Sequence, residues 1–285
     1  LWCSKRPAAG SMWESLFSYK QNSSVLERYF PAKVNLIFTG KRHKATREMV
    51  MEAAAGVMLS SDPGDKAITA NDFTRQNMES CRFVGFDLAG PEEPFPPEMF
   101  RNSFDQLSHM HIPITAHAGE NASAQFVESA VLDLRARRLG HGLALADDPK
   151  LMGRVREERI CIELCPVSNY QTNEFTEKKP GREYPLRKFL ENGNIVCLNT
   201  DNPIVSYTNI VKEFFQASYA YGKEGLSLWN ALRMIRMGFA HAFKSLAERR
   251  AILELVEQMI FDLLIDRDVE TLLRRIAQSQ ASAGT

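Results

Sequence analysis

Net charge is absent from this sequence: Lys plus Arg and Asp plus Glu number 35 each in 285 residues. That balance gives no pull toward a phosphate backbone or an anionic lipid surface, so no nucleic-acid partner is expected. Long apolar runs are missing too. No stretch approaches the roughly 20 apolar residues of a membrane-spanning helix, and no membrane partner is expected. Cysteine is scarce and odd in number, five, which argues against a disulfide framework. Cys161, Cys165 and Cys197 fall within apolar runs and read as small buried hydrophobes in a reducing compartment, so a cytoplasmic location is expected. Cys161 and Cys165 do not have the C-x-x-C spacing of a redox or zinc pair. Leu1–Ser11 holds Lys5, Arg6 and Pro7 but no apolar stretch of secretory length, so no leader is expected there. There is no short-period repeat, no low-complexity tract and no linker that divides the chain. Residues 1–32 contain no histidine.

What is present is an alternation of short apolar runs with longer amphipathic stretches, the pattern of repeated βα units around a parallel sheet. Six strands are expected: Val34–Thr39, Phe83–Leu88, Ile112–His117, Arg138–His141, Ile160–Cys165 and Ile195–Thr200. Helices are expected over Thr46–Ser60 and Ala124–Arg137, followed by four helical patterns after the last strand. The clearest of these is Ala247–Leu264, where Ile252, Leu255, Val256, Met259, Ile260, Leu263 and Leu264 form a broad stripe at helical spacing, expected to face the core. The turn-rich segments Ser61–Asn71 and Asn173–Tyr184 read as loops.

Polar residues recur where these strands end. His117 ends one, His141 the next, Asp201 follows another, and Asp87 lies near the end of a fourth. In a (β/α) barrel the C-terminal strand ends converge on one face, where active sites are built, so residues distant in sequence meet there. Ala118 and Gly119 allow a tight turn that returns Glu120 over the barrel mouth, and Gly140 and Gly142 flank His141.

The segments His117-Ala118-Gly119-Glu120, Arg138-Leu139-Gly140-His141-Gly142, Asn199-Thr200-Asp201-Asn202-Pro203, Asp87-Leu88-Ala89-Gly90-Pro91-Glu92 and Cys165-Pro166-Val167-Ser168-Asn169 resemble, in order and spacing, the signatures of the adenosine deaminase family. The likeness covers roughly Lys33 to Phe243. The resemblance implies a TIM-type (β/α) barrel with added C-terminal helices. It implies hydrolytic deamination of adenosine or a related adenine compound, zinc as cofactor, and a small purine nucleoside or base as partner. On the same basis His117 and Asp201 would be zinc ligands, Asp201 would also act in catalysis by hydrogen-bonding the metal-bound water, and Glu120 would protonate a purine ring nitrogen. His141 would orient the metal-bound hydroxide, and the Gly90 N–H would bind a ring nitrogen. Asn202 would contact the purine where many members carry a second Asp. Such chemistry calls for a Glu120 that holds its proton in a water-poor pocket. The H-x-E and P-C-x-x-C pattern of the other zinc deaminase class does not occur.

One family feature is missing. The resemblance implies a His-x-His pair at the end of a first strand, yet the only such pair here is His109-Met110-His111. It precedes its strand and belongs at the non-catalytic end. Six strands stand where a closed barrel has eight. The expected organisation is therefore a disordered or foreign segment over residues 1–11 and, over 12–285, a barrel domain without its first two βα units. Trp13, Phe17, Val25, Leu26, Tyr29 and Phe30 would pack on that barrel or form an oligomer contact. Three readings follow: part of an active deaminase, an inactive relative with a binding or scaffold role for want of the His-x-His ligands, or a site completed by another chain or a rearranged N-terminus. Lys41, Arg42, His43 and Lys44 read either as a phosphate contact or, as expected, a solvated charge run.

Overall fold

The computed structural model describes residues 35–42, 83–172 and 183–282. The helix expected over Thr46–Ser60, the apolar residues Trp13 to Phe30, the loop over Ser61–Asn71, most of the loop over Asn173–Tyr184 and the boundary at residue 11 lie outside them.

All six expected strands form, with ends shifted by a residue or two: β1 (Leu36–Lys41), β2 (Phe83–Ala89), β3 (Ile114–Ala118), β4 (Arg138–His141), β5 (Cys161–Leu164) and β6 (Ile195–Leu198). They make one sheet in chain order, every pair parallel. The short apolar runs explain this arrangement. A strand covered on both faces needs no polar alternation, and β6 is buried at all of its positions. This is the sheet of a (β/α) barrel left open: among the described residues, β1 and β6 are edges.

The helices are α1 (Arg101–His109), α2 (Ala124–Leu132), α3 (Pro149–Glu157), α4 (Pro166–Gln171), α5 (Leu186–Glu191), α6 (Ile210–Tyr221), α7 (Leu228–Ala240) and α8 (Leu246–Ser282). Phe86, Phe104, Leu107, Val127, Leu139, Val155, Ile162 and Phe189 form the core between sheet and helices. Phe86 and Phe104 meet edge to face at 5.6 Å, the favoured aromatic geometry. Local signals set the helix ends. Asp148 accepts from the Lys150 and Leu151 amides at 3.0 Å, with Pro149 in the first turn of α3.

Three expectations are corrected. Helix α2 stops at Leu132, short of Arg137, because Arg135 turns left-handed at φ 54° and the Ala136 amide bonds back to Ala130 O at 3.1 Å, a Schellman closure. Three helices, not four, follow β6 among the described residues, because one continuous helix runs from Leu246 to Ser282. The stripe on that helix is mostly not core: Val256 is buried, but Leu255 and Met259 are exposed, since no described element covers them. The buried free thiols Cys161, Cys165 and Cys197 agree with their reading as core residues. Among the described residues no helix is long and apolar enough to cross a membrane.

Candidate active site

His117 stands near the C-terminal end of β3, opposite Gly140 of β4. A Cβ at Gly140 would lie 3.2 Å from His117 Cα, Cγ and Nδ1, so the missing side chain gives the imidazole its place. His117 Nδ1 lies 3.0 Å from Asp87 Oδ1 of β2, which leaves Nε2 for the pocket. Burial alone would pull the His117 pKa down. The Asp87 carboxylate, helped by Asp201 and Glu120, more than offsets this and holds it at about 9.

Glu120 sits on the turn after β3, and that turn is clamped from beneath. The Glu92 carboxylate accepts from the backbone amides of Gly119 (2.6 Å), Glu120 (2.8 Å) and Asn121 (3.1 Å). Gly119 takes φ +71°, and a Cβ there would meet Val127 Cγ2 at 2.6 Å. Arg42, buried at the end of β1, donates to Phe95 O at 2.8 Å and to His117 O. It thus ties the loop after β2 to β3. Arg42 is therefore neither part of a solvated charge run nor turned toward a phosphate. Burial lowers its pKa, against the pull of Glu92, Asp87 and Glu98.

His141 ends β4 in a left-handed conformation, φ 61°, and Asp201 follows β6 at φ 53°. Non-glycine residues seldom adopt this region, and such conformations cluster at functional sites. His141 is buried; its Nε2 lies 3.7 Å from Glu120 Oε2 and its ring centroid 5.1 Å from that of His117. Burial, reinforced by the neighbouring His117, pushes the His141 pKa down. Helix α4 steadies this side. Ser168 Oγ donates to Asp201 Oδ2 at 2.7 Å, and Asn169 Nδ2 lies 3.0 Å from His141 Nδ1. The buried Glu213 of α6 holds α4 itself, accepting from the Val167 amide at 3.0 Å and Thr208 Oγ1 at 2.7 Å; burial raises its pKa.

His117, Glu120, His141, Asp201 and Gly90 all line one pocket of about 620 Å³, together with Pro91, Glu92, Glu93, Pro94 and Asn121. Asn202 does not line it; its Oδ1 accepts from the Val205 amide at 3.1 Å and shapes the turn after β6. His109 and His111 precede β3 and so lie at the opposite end of the strand. Among the described residues no three His, Cys, Asp or Glu side chains are grouped to hold a metal. The donors at the pocket nonetheless suit zinc in kind. An imidazole whose other nitrogen meets a carboxylate is a common zinc ligand, and Asp201 adds an oxygen. They make two of the four donors a closed tetrahedral site uses. Sequence reasoning missed Glu213, read Arg42 within a solvated charge run, and quoted Glu92 in a motif without giving it a role. It placed Ser168 and Asn169 within a motif but assigned neither a role.

A family model described as adenosine deaminase matches residues 29–259. The adenosine deaminase of Enterococcus faecalis is 34% identical over 232 residues, 81% of this chain and 61% of that protein. The adenosine deaminase of Shewanella loihica is 40% identical over 169 residues, 59% of this chain and 49% of that one. The chain thus spans about half to three fifths of these relatives. Among solved structures, adenine deaminase from Arthrobacter aurescens superposes with a TM-score of 0.67 at 21% identity, covering 85% of this chain and 66% of that one. A zinc-bound amidohydrolase from Burkhoderia ambifaria gives 0.66 at 22%, covering 85% and 61%. The N6-methyl-AMP deaminase of Arabidopsis thaliana gives 0.59 at 20%, covering 79% and 58%. These likenesses support the barrel fold, and with the family match over most of its length the chain belongs to the adenosine deaminase family.

Proposed function

We propose that the protein catalyses hydrolytic deamination of an adenine nucleoside or base, giving the inosine- or hypoxanthine-type product and ammonia, in the cytoplasm. The observation that carries this reading is the meeting of His117, Glu120, His141 and Asp201 on one pocket with Gly90. His117 Nε2 and Asp201 would hold zinc. When bound, zinc lowers the pKa of water toward 7 and supplies a nucleophile at neutral pH.

The chain's own residues supply the rest. Gly90 takes φ +108°, and the absence of a side chain lets a purine edge approach its N–H. Glu120 gives a proton to the ring nitrogen beside the carbon under attack, offsetting the charge that forms as aromaticity is lost. General acid catalysis of this kind contributes roughly 10²–10⁴-fold. Glu92 keeps Glu120 in place by fixing its turn. His141 directs Nε2 at the same space. Asn202, outside the pocket lining and with its amide oxygen engaged in the turn after β6, is not assigned a purine contact. Arg42 is spent on backbone carbonyls, which favours a nucleoside or base over a nucleotide.

The test is conversion of adenosine and adenine by the zinc-loaded protein, beside its Glu120→Gln variant. Turnover in the parent, lost by at least about 10²-fold in the variant with zinc content and circular dichroism unchanged, supports the reading. A parent that binds no zinc and deaminates neither compound contradicts it and marks an inactive family member.

A further inference from the structure

A neutral imidazole carries one hydrogen on two nitrogens, and its neighbours decide which one. Both nitrogens of His141 have neighbours. On the side away from the pocket, Asn169 Nδ2 is 3.0 Å from Nδ1. The Asn169 amide is oriented in turn: the Tyr184 hydroxyl donates to its Oδ1 at 3.0 Å, which turns the NH₂ toward His141. An amide NH₂ only donates, so Nδ1 must accept and carries no hydrogen. On the pocket side, Nε2 is 3.7 Å from Glu120 Oε2, beyond hydrogen-bond distance. The choice of tautomer is therefore made on the Asn169 side. Asn169 is wholly buried and Tyr184 nearly so, so water does not compete for these groups.

We propose that Asn169, oriented by Tyr184, is a positioning residue that fixes His141 as the Nε2–H tautomer. His141 then meets the oxygen arriving at the reacting carbon as a hydrogen-bond donor and does not take its proton. Glu120 is left as the proton-carrying group on that side of the pocket. The consequence for chemistry rests on the deaminase reading above, whereas the tautomer itself does not. The arrangement also gives the Cys165–Asn169 motif a physical role, since α4 presents Ser168 to Asp201 and Asn169 to His141.

The test is nitrogen NMR of the protein labelled with ¹⁵N-histidine, the His141 signals being assigned by their loss in His141→Gln. The parent should show a pyridine-type Nδ1 and a pyrrole-type Nε2. In Asn169→Asp, which offers only acceptors, Nδ1 should become pyrrole-type. Tyr184→Phe, which removes one hydroxyl and keeps the ring, should populate both forms. In turnover, Asn169→Asp should lower kcat by roughly 10²-fold with little change in KM, as for a misdirected donor to a developing oxyanion. A pyrrole-type Nδ1 in the parent overturns the proposal, as does an unchanged pattern in Asn169→Asp. Because the shifts are read without substrate, a parent that shows the stated pattern yet deaminates nothing supports the tautomer and contradicts the deaminase reading instead.

Discussion

The two flanks of the pocket differ in how they are held. On the β3–β4–β5 flank every group the chemistry would use has a partner: Asp87 behind His117, Glu92 under the Glu120 turn, Asn169 behind His141. The strands beneath are packed by wholly buried Leu139, Ile162 and Phe189. Past β6 the picture changes. Asp201 is exposed, and Ile204, Val205, Tyr207, Phe215, Tyr219 and Trp229 are each more than 70% exposed. Exposed apolar residues in such number are the kind that mark interaction surfaces. The two proposed zinc donors belong to the same contrast, because His117 lies on the finished flank and Asp201 on the open one. The difference teaches that pre-organisation here is local and does not require the whole barrel to be closed.

The comparison can be broken first at its core. Phe189→Ala should destabilise the chain by about 3–5 kcal/mol, the usual cost of emptying a wholly buried phenylalanine site, read from denaturant unfolding. A loss below about 1 kcal/mol would show that the finished flank is not tightly packed. Next comes Glu92→Ala, which strips the acceptor from three backbone amides. It should cost about 1–3 kcal/mol and lower turnover, because the Glu120 turn loosens; unchanged stability and turnover would remove Glu92 from the site. A pH series on metal-free protein sharpens the flank further. With His117 raised from 6.5 to about 9 by Asp87, the stabilisation it gives is full below pH 6.5. It declines as pH rises through about 9, because the unfolded chain has already lost that proton. His117→Gln should remove this part of the slope. The smallest effect is expected on the open flank: Phe215→Ser, at a residue 74% exposed, should change stability by no more than about 0.5 kcal/mol and should reduce self-association.

The strands and the strand-end residues were legible because parallel, doubly covered strands write themselves as short apolar runs, and polar residues at their ends stand out. Even the short Arg138–His141 strand showed itself through its glycines: Gly140 leaves room for the His117 ring, and Gly142 takes φ +61° beside a strained His141. Buried charge was not legible. Arg42, Glu92 and Glu213 look in sequence like surface residues; only the fold shows the carbonyls and amides that neutralise their burial. The end of α2 was misjudged because helical periodicity continues through Leu134, which is buried after the helix has stopped. The apolar stripe on α8 was read correctly as helical, but periodicity cannot say whether the surface it faces lies within the same stretch of chain.

The most direct test of the common site is a crystal structure of the protein grown with zinc and a purine ribonucleoside. The predicted result is zinc bonded to His117 Nε2 and Asp201, with the purine edge between the Gly90 amide and Glu120. Zinc at His109 and His111, or the side chains of His117, Glu120, His141 and Asp201 found on separate faces of the fold, would contradict it.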